Sequence, residues 1–153
     1  MFGGIGRALS HRDYLLYWSS NGINTIGRWM YRIAVGWLTW ELTESTTWLG
    51  IIAFAESFPL VVFSVLAGAI ADRVGYIRIT LLAQTATAIV AAAFAAMTLA
   101  GVITIELVLV SALLIGSLES LTTPARMALV HALVPKQDLA PAIALGSATF
   151  NAA

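Results

Sequence analysis

The chain has 153 residues, of which 59% are hydrophobic and only 10% are charged, and its formal net charge is zero. Soluble domains carry about 25% charged residues, so this composition argues against an ordinary water-soluble domain and predicts a membrane protein. A core subunit buried inside a soluble assembly is the alternative, and it fits the composition less well. The sequence has no cysteine and no basic tract suited to nucleic acid, so we expect no nucleic-acid partner, no metal and no cofactor.

Four apolar segments are long enough to cross a bilayer, because a spanning helix needs about 20 apolar residues. They cover residues 14–40, 48–71, 79–100 and 103–121, and the last extends as far as Arg126 in a longer alternative. A fifth helix is predicted to begin near Leu139, after Asp138, which is suited to cap it. Short connections make successive helices antiparallel neighbours. The predicted fold is therefore an all-α, polytopic membrane helix bundle without a soluble domain.

The positions of lysine and arginine predict the orientation of the bundle. Six of the eight basic residues fall on one side of the predicted spans, namely Arg7, Arg12, Arg73, Arg78, Arg126 and Lys136. The two opposite loops contain none, so we expect the N-terminus in the cytoplasm and Glu41 and Glu44 on the outer side. Residues 1–13 lack a short apolar core, so we expect no cleaved signal peptide.

Four charged side chains fall inside the predicted spans: Arg28 and Arg32 in the first, Glu56 in the second and Glu119 in the fourth. A charge at the bilayer centre costs about 3 kcal/mol on insertion scales, so such residues usually face a partner or a polar cavity. Arg28 and Arg32 are four residues apart and share one helix face, and Asn24 lies near that face. This polar stripe is expected to line a polar interior. Glu119 either approaches Arg28 or reaches the interface.

The depths of two of these charges predict a pairing. Arg32 precedes Trp40 by eight residues, and Glu56 follows Trp48 by eight residues. At a rise of about 1.5 Å per residue, both lie about 12 Å below the outer boundary. The pair is either purely structural or a proton-sensitive carboxylate held near an arginine. Pro59 removes a backbone donor and is expected to kink the second helix.

The most informative motif lies between the second and third predicted helices. Within residues 68–78, Gly68 and Asp72 lie on one helix face, and Asp72 is expected to end the second helix. Gly75 permits a tight reversal of the chain. Arg73 and Arg78 are typical of a cytoplasmic turn. An ordinary positive-inside turn is the alternative, although it does not explain the spacing of the glycines and the aspartate.

This spacing resembles the loop motif of the major facilitator superfamily of transporters, and the matching residues are Gly68, Asp72, Arg73 and Gly75. Tyr76 and Ile77 depart from the motif, because the family usually has basic residues there. Other stretches resemble the bacterial branch that contains enterobactin exporters and macrolide efflux proteins: residues 12–18, 24–30, 41–45, 123–130 and 133–139.

The resemblance implies a secondary transporter of about twelve helices, in which two halves rock about a central site. It implies proton-driven efflux of amphipathic small molecules, of the drug or siderophore class, across the bacterial inner membrane. The expected partners are the lipid bilayer, the small-molecule substrate, protons and a missing C-terminal part of the transporter. Arg126 is expected to pair with Asp72 in a cytoplasmic gate. No basic residue lies between Ile103 and Leu121, so the fourth-helix arginine of many proton-coupled exporters has no counterpart.

Two other classes of function are alternatives to transport. A non-transporting fragment or small four-helix membrane subunit, with a structural or interaction role, is favoured by the length of the chain. A membrane-embedded enzyme is not expected, because His11 and His131 are isolated and neither has a metal-ligand spacing.

Overall fold

The structure is a computed structural model that describes residues 11–135 and 139–152. Five α-helices account for nearly all of these residues: α1 (Arg12–Thr43), α2 (Thr46–Val74), α3 (Tyr76–Leu99), α4 (Ile105–Leu133) and α5 (Leu139–Ala152). The described ranges contain no β-strand. The predicted all-α class is confirmed, and α5 begins at the predicted residue. The proposed cap Asp138 lies outside the described residues.

Three of the described helices contain segments long and apolar enough to cross a membrane: Thr46–Phe63 in α2, Tyr76–Leu99 in α3 and Ile105–Val130 in α4. A bilayer core about 30 Å thick needs about 20 residues, and each of these three helices is longer than that. The first helix is continuous over 32 residues. It is less apolar than the other three, because Arg28, Arg32 and two asparagines interrupt its apolar residues.

The fourth helix is longer than the sequence predicted. Prediction ended it at Leu121, or at Arg126 in the longer alternative, whereas α4 continues to Leu133 with Pro124 inside it. Pro124 has no amide hydrogen to donate to the carbonyl of Ser120, a loss that membrane helices tolerate. The hydroxyls of Thr122 and Thr123 both donate to the carbonyl oxygen of Glu119, each at 3.0 Å.

Hydroxyl side chains elsewhere also bond to the backbone of their own helix. Thr39 Oγ1 donates to the carbonyl of Val35 at 2.7 Å. Ser117 Oγ donates to the carbonyl of Leu113 at 2.7 Å. Such bonds satisfy the hydroxyl within the helix, so these polar residues are compatible with an apolar surrounding.

The chain forms two compact units, of which the first comprises Met1–Arg32 and Met127–Ala153. Its core contains Tyr14, Val134 and Ala142. The Tyr14 hydroxyl donates to the carbonyl of Ala142 at 2.9 Å. Trp18 Nε1 donates to Thr149 Oγ1 at 3.0 Å. These two bonds join the start of α1 to α5, and aromatic side chains therefore supply both the apolar contact and the polar one.

The second unit, Ile33–Arg126, contains α2, α3, the end of α1 and most of α4. Buried residues on α4 recur every three or four positions, as expected for one helix face: Val108, Ser111, Ala112, Ile115, Gly116 and Ser120. At Gly116 this face lies directly on the backbone of α2. A Cβ added there would lie 2.9 Å from the carbonyl carbon of Glu56 and closer still to its oxygen. Small residues permit such close approach of helices in membranes.

We predict that Gly116→Ala destabilises the second unit, by about 1–3 kcal/mol, because the added methyl meets backbone that cannot rotate away. Thermal unfolding of the purified protein in detergent measures this loss. Gly50→Ala is the matched control, because Gly50 lies inside α2 with no atom within 4 Å of its added Cβ. That control should leave the melting temperature unchanged or raise it. An unchanged melting temperature for Gly116→Ala would contradict the close approach.

Candidate functional site: the turn between the second and third helices

The motif of residues 68–78 folds as two helix ends joined by one residue. Only Gly75 lies between α2 and α3, and its backbone has φ 92° and ψ 133°. Residues that carry a side chain rarely adopt such a φ, so glycine is required here. The Gly75 amide donates to Ala71 O at 3.0 Å, and the Ile79 amide donates to Gly75 O at 3.1 Å. The turn predicted at Gly75 is thus present, although it is much shorter than the predicted charged segment.

The charged residues of the motif lie on the helices and not in a loop. Asp72 and Arg73 belong to the last turn of α2, and Arg78 belongs to the first turn of α3. All three side chains are exposed. The predicted end of α2 at Asp72 is therefore wrong by two residues. The single-residue turn explains this difference, since α2 remains hydrogen-bonded up to the amide of Gly75.

Tyr76 contributes a contact that sequence reasoning missed. Its hydroxyl donates to Asp72 Oδ1 across the turn. The sequence marked Tyr76 only as a departure from the family motif. The signal that could have found the bond is the spacing of four residues, which brings side chains together when both flanking segments are helical.

Below the turn, three helices meet in a small apolar cluster. Ala71 of α2, Ile79 of α3 and Ala125 of α4 are buried together, with Leu121 packed against them. Asp72 and Arg126 each follow a member of this cluster directly in the chain. We refer to Ala71, Ile79, Ala125 and Leu121 as the turn cluster. It fixes the part of α4 that carries the charged residues close to the turn.

Arg126 has an acidic partner on its own helix. Its NH2 donates to Glu119 Oε1 at 3.5 Å, and the two side chains are 14% and 21% exposed. Two helical turns separate the residues, so the pair requires α4 to remain helical through Pro124. The predicted pairing of Arg126 with Asp72 stays a prediction. So does the approach of Glu119 to Arg28.

The remaining motif glycine, Gly68, is half-buried in α2. Among the described residues, no atom lies within 4 Å of the position of an added Cβ. Gly68 therefore makes no close helix contact among the described residues, whereas Gly116 does.

The charges inside the spans belong to two different units. Glu56 lies in the second unit and is half-buried. Arg28 and Asn24 are half-buried in the first unit. Arg32, also in the first unit, is exposed, with its guanidinium 5.5 Å from the ring centre of Trp29. The pairing of Arg32 with Glu56 stays a prediction of the sequence register.

Metal binding has no support in the described residues, which contain no group of three or more His, Asp or Glu that could hold an ion. The chemistry available at the turn is therefore that of ion pairs and hydrogen bonds. Such groups can form and break as helices move, and they can hold one arrangement of helix ends over another.

We predict that Gly75→Ala destabilises the protein by about 1–3 kcal/mol, because alanine is strained at positive φ. The measurement is the melting temperature of the purified protein in detergent. Gly68→Ala serves as the control, since it adds the same methyl group within α2, where no described atom lies nearby. Equal effects of the two substitutions would show that the turn conformation does not require glycine.

Comparison with known proteins gives one family and one relative. The transmembrane secretion effector family (MFS_3) matches residues 7–153. The chain is similar to the staphyloferrin A transporter of Staphylococcus aureus (strain NCTC 8325 / PS 47), with 28% identity over 136 residues. The match covers 88% of this chain and 34% of that relative, so the chain spans about a third of its length. No solved structure matches the chain.

Both matches concern membrane transport and not enzymatic chemistry, which agrees with the prediction that the chain is not an enzyme. The helices that carry the turn, the turn cluster and the intramembrane charges all fall within the matched residues. The chain belongs to the transmembrane secretion effector family of major facilitator proteins.

Proposed function

We propose that the protein is a secondary transporter that exports amphipathic small molecules from the bacterial cytoplasm in exchange for protons. The family match over residues 7–153 is the observation that carries this proposal. The apolar segments of α2, α3 and α4 supply a bilayer-embedded scaffold. We place the protein in the inner membrane with its N-terminus in the cytoplasm, and this chain supplies the first helices of a longer helix bundle.

A small-molecule substrate is supported by the relative. That protein is named for the transport of staphyloferrin A. Low identity, 28%, does not transfer a particular substrate to this chain. We therefore propose only a class, amphipathic molecules of drug or siderophore size, and we extend the proposal to the enterobactin-exporter and macrolide-efflux branch that the sequence resembles.

The turn at Gly75 is proposed to act as the cytoplasmic gate. Alternating access requires helix ends on one side of the membrane to close while the other side opens. The turn couples the ends of α2 and α3 closely, because a single residue joins them. The turn cluster adds α4 to the same group. These helix ends would therefore move together. The ion pairs and hydrogen bonds of Asp72, Arg73 and Arg126 would form or break at the same time.

Glu56 is the proposed proton-sensitive group. It lies inside the apolar segment Thr46–Phe63, where an ionised carboxylate is disfavoured unless it has a partner or binds a proton. Its backbone lies against Gly116, at the point where α2 and α4 approach most closely among the glycine contacts. Pro59, three residues further on, is buried within α2. A change in the charge of Glu56 would thus act at a helix contact, where it could alter how the two helices pack.

We predict that Glu56→Gln abolishes concentrative export while downhill movement of substrate is retained, because glutamine cannot bind and release a proton at this position. Proteoliposomes containing the protein as expressed from its gene, with an imposed pH gradient, measure both quantities. Glu41→Gln is the control, since Glu41 is exposed near the end of α1, outside the apolar segments. Retained coupling in Glu56→Gln would reduce this residue to a structural role. If the unaltered protein transports nothing, the alternative of a structural membrane subunit is favoured.

Cysteine labelling tests the orientation of the helices in the membrane. The chain has no cysteine, so single cysteines can be introduced without background. Glu44 lies in the connection between α1 and α2 and is exposed, and Ile77, beside the Gly75 turn, is 63% exposed. In spheroplasts, a membrane-impermeant maleimide should label Glu44→Cys directly. It should label Ile77→Cys only after the membrane is permeabilised. The opposite pattern would place the turn outside and contradict a cytoplasmic gate.

A further inference from the structure

Two acidic residues and one arginine lie close to the turn cluster. The structure shows which hydrogen-bond partner each of the two acids has. Asp72 accepts a hydrogen bond from the Tyr76 hydroxyl. Glu119 accepts one from Arg126. Since Ala71 and Ala125 are buried in the same cluster, Asp72 and Arg126 lie on backbone positions directly beside a shared contact. Each acid therefore has a recorded partner other than the one that the motif predicts.

The two hydrogen bonds differ in strength and in charge. A phenol hydroxyl is a neutral donor, whereas a guanidinium is a charged donor that bonds more strongly to a carboxylate. Asp72 lies in the last turn of α2, where the partial negative charge of the helix end disfavours an anion. The Asp72 carboxylate therefore needs a hydrogen-bond donor. Arg126 would be the stronger donor, yet it is bonded to Glu119 in this structure.

We propose that Tyr76 is a positioning residue that holds the Asp72 carboxylate against the turn and away from Arg126. While Tyr76 donates to Asp72, the Arg126 guanidinium stays with Glu119. When the Tyr76 bond breaks, Asp72 competes with Glu119 for Arg126. The turn thus has two alternative pairings of Arg126, and the Tyr76 hydroxyl selects between them. The meaning of this choice as a gate rests on the proposed function, but the pairings themselves do not.

The pairings can be tested without transport, by a thermodynamic cycle on the purified protein in detergent. Melting temperatures are measured for Asp72→Asn, Arg126→Gln and the double variant, both with Tyr76 present and in the Tyr76→Phe background. With Tyr76 present, the two single losses should add, because the residues are not paired. In the Tyr76→Phe background, the double variant should lose less than the sum, because Asp72 and Arg126 are then paired.

In the Tyr76→Phe background, Asp72→Asn returns Arg126 to Glu119, so the measured coupling is the excess of the Asp72–Arg126 pairing over the Arg126–Glu119 pairing. An equal coupling of Asp72 with Arg126 in both backgrounds would overturn the proposal. So would a full coupling already present with Tyr76 in place. Tyr17→Phe removes a phenol hydroxyl that belongs to the first unit and not to the turn cluster, and is the control background. In the Tyr17→Phe background, the losses caused by Asp72→Asn and Arg126→Gln should still add.

Measurements of transport are a second test, and they distinguish a positioning role of Tyr76 from a purely structural one. Because hydrogen bonds and ion pairs of exposed side chains are weak, Tyr76→Phe should change the transport rate by at most about five-fold. In the Asp72→Asn background, Tyr76→Phe should have no further effect, because the group that it positions is gone. An equal effect in both backgrounds would show that Tyr76 does not act through Asp72. Absence of transport with an intact pairing cycle would contradict the proposed function and leave this inference standing.

Discussion

The close approach of α2 and α4 at Glu56 and Gly116 sets the arrangement of the second unit. A helix can lie directly on the backbone of another only where one of them lacks a side chain. Gly116 provides that place, and the buried face of α4 continues from it in both directions at helical spacing. Further along the same helices, Ala71 and Ala125 are buried in one cluster, which provides a second contact region. These two contacts fix α4 along α2, and the turn at Gly75 then brings in the start of α3.

This arrangement places charge at two kinds of position. Glu56 lies at a helix contact within an apolar segment, where its ionisation would affect packing. Asp72, Arg73 and Arg78 lie at helix ends, on exposed surface beside the single-residue turn. We propose the first position for proton binding and the second for contacts that open and close. Both are needed in the proposed exchange of protons for substrate, and α2 connects them directly.

The helices themselves could be predicted from the sequence, because long apolar runs between charged ends have few other structures in a membrane. The end of α4 could not, since two threonines, Pro124 and Arg126 interrupt the apolar run after Leu121, whereas α4 continues to Leu133. The Arg126–Glu119 pair depends on the unbroken helix, and the sequence analysis did not consider it. In the turn, the glycine was predicted and Tyr76 was not. Its role depends on both flanking segments being helical up to Gly75, which the spacing of charges did not indicate.

Uptake of a fluorescent amphipathic substrate into inverted inner-membrane vesicles tests the central claim most directly. In such vesicles the cytoplasmic face is outward and respiration acidifies the interior. Our account predicts that vesicles containing the protein, as expressed from its gene, accumulate the substrate and lose it when the pH difference is collapsed. Accumulation that persists after this collapse would contradict proton exchange. Accumulation in right-side-out vesicles alone would contradict export.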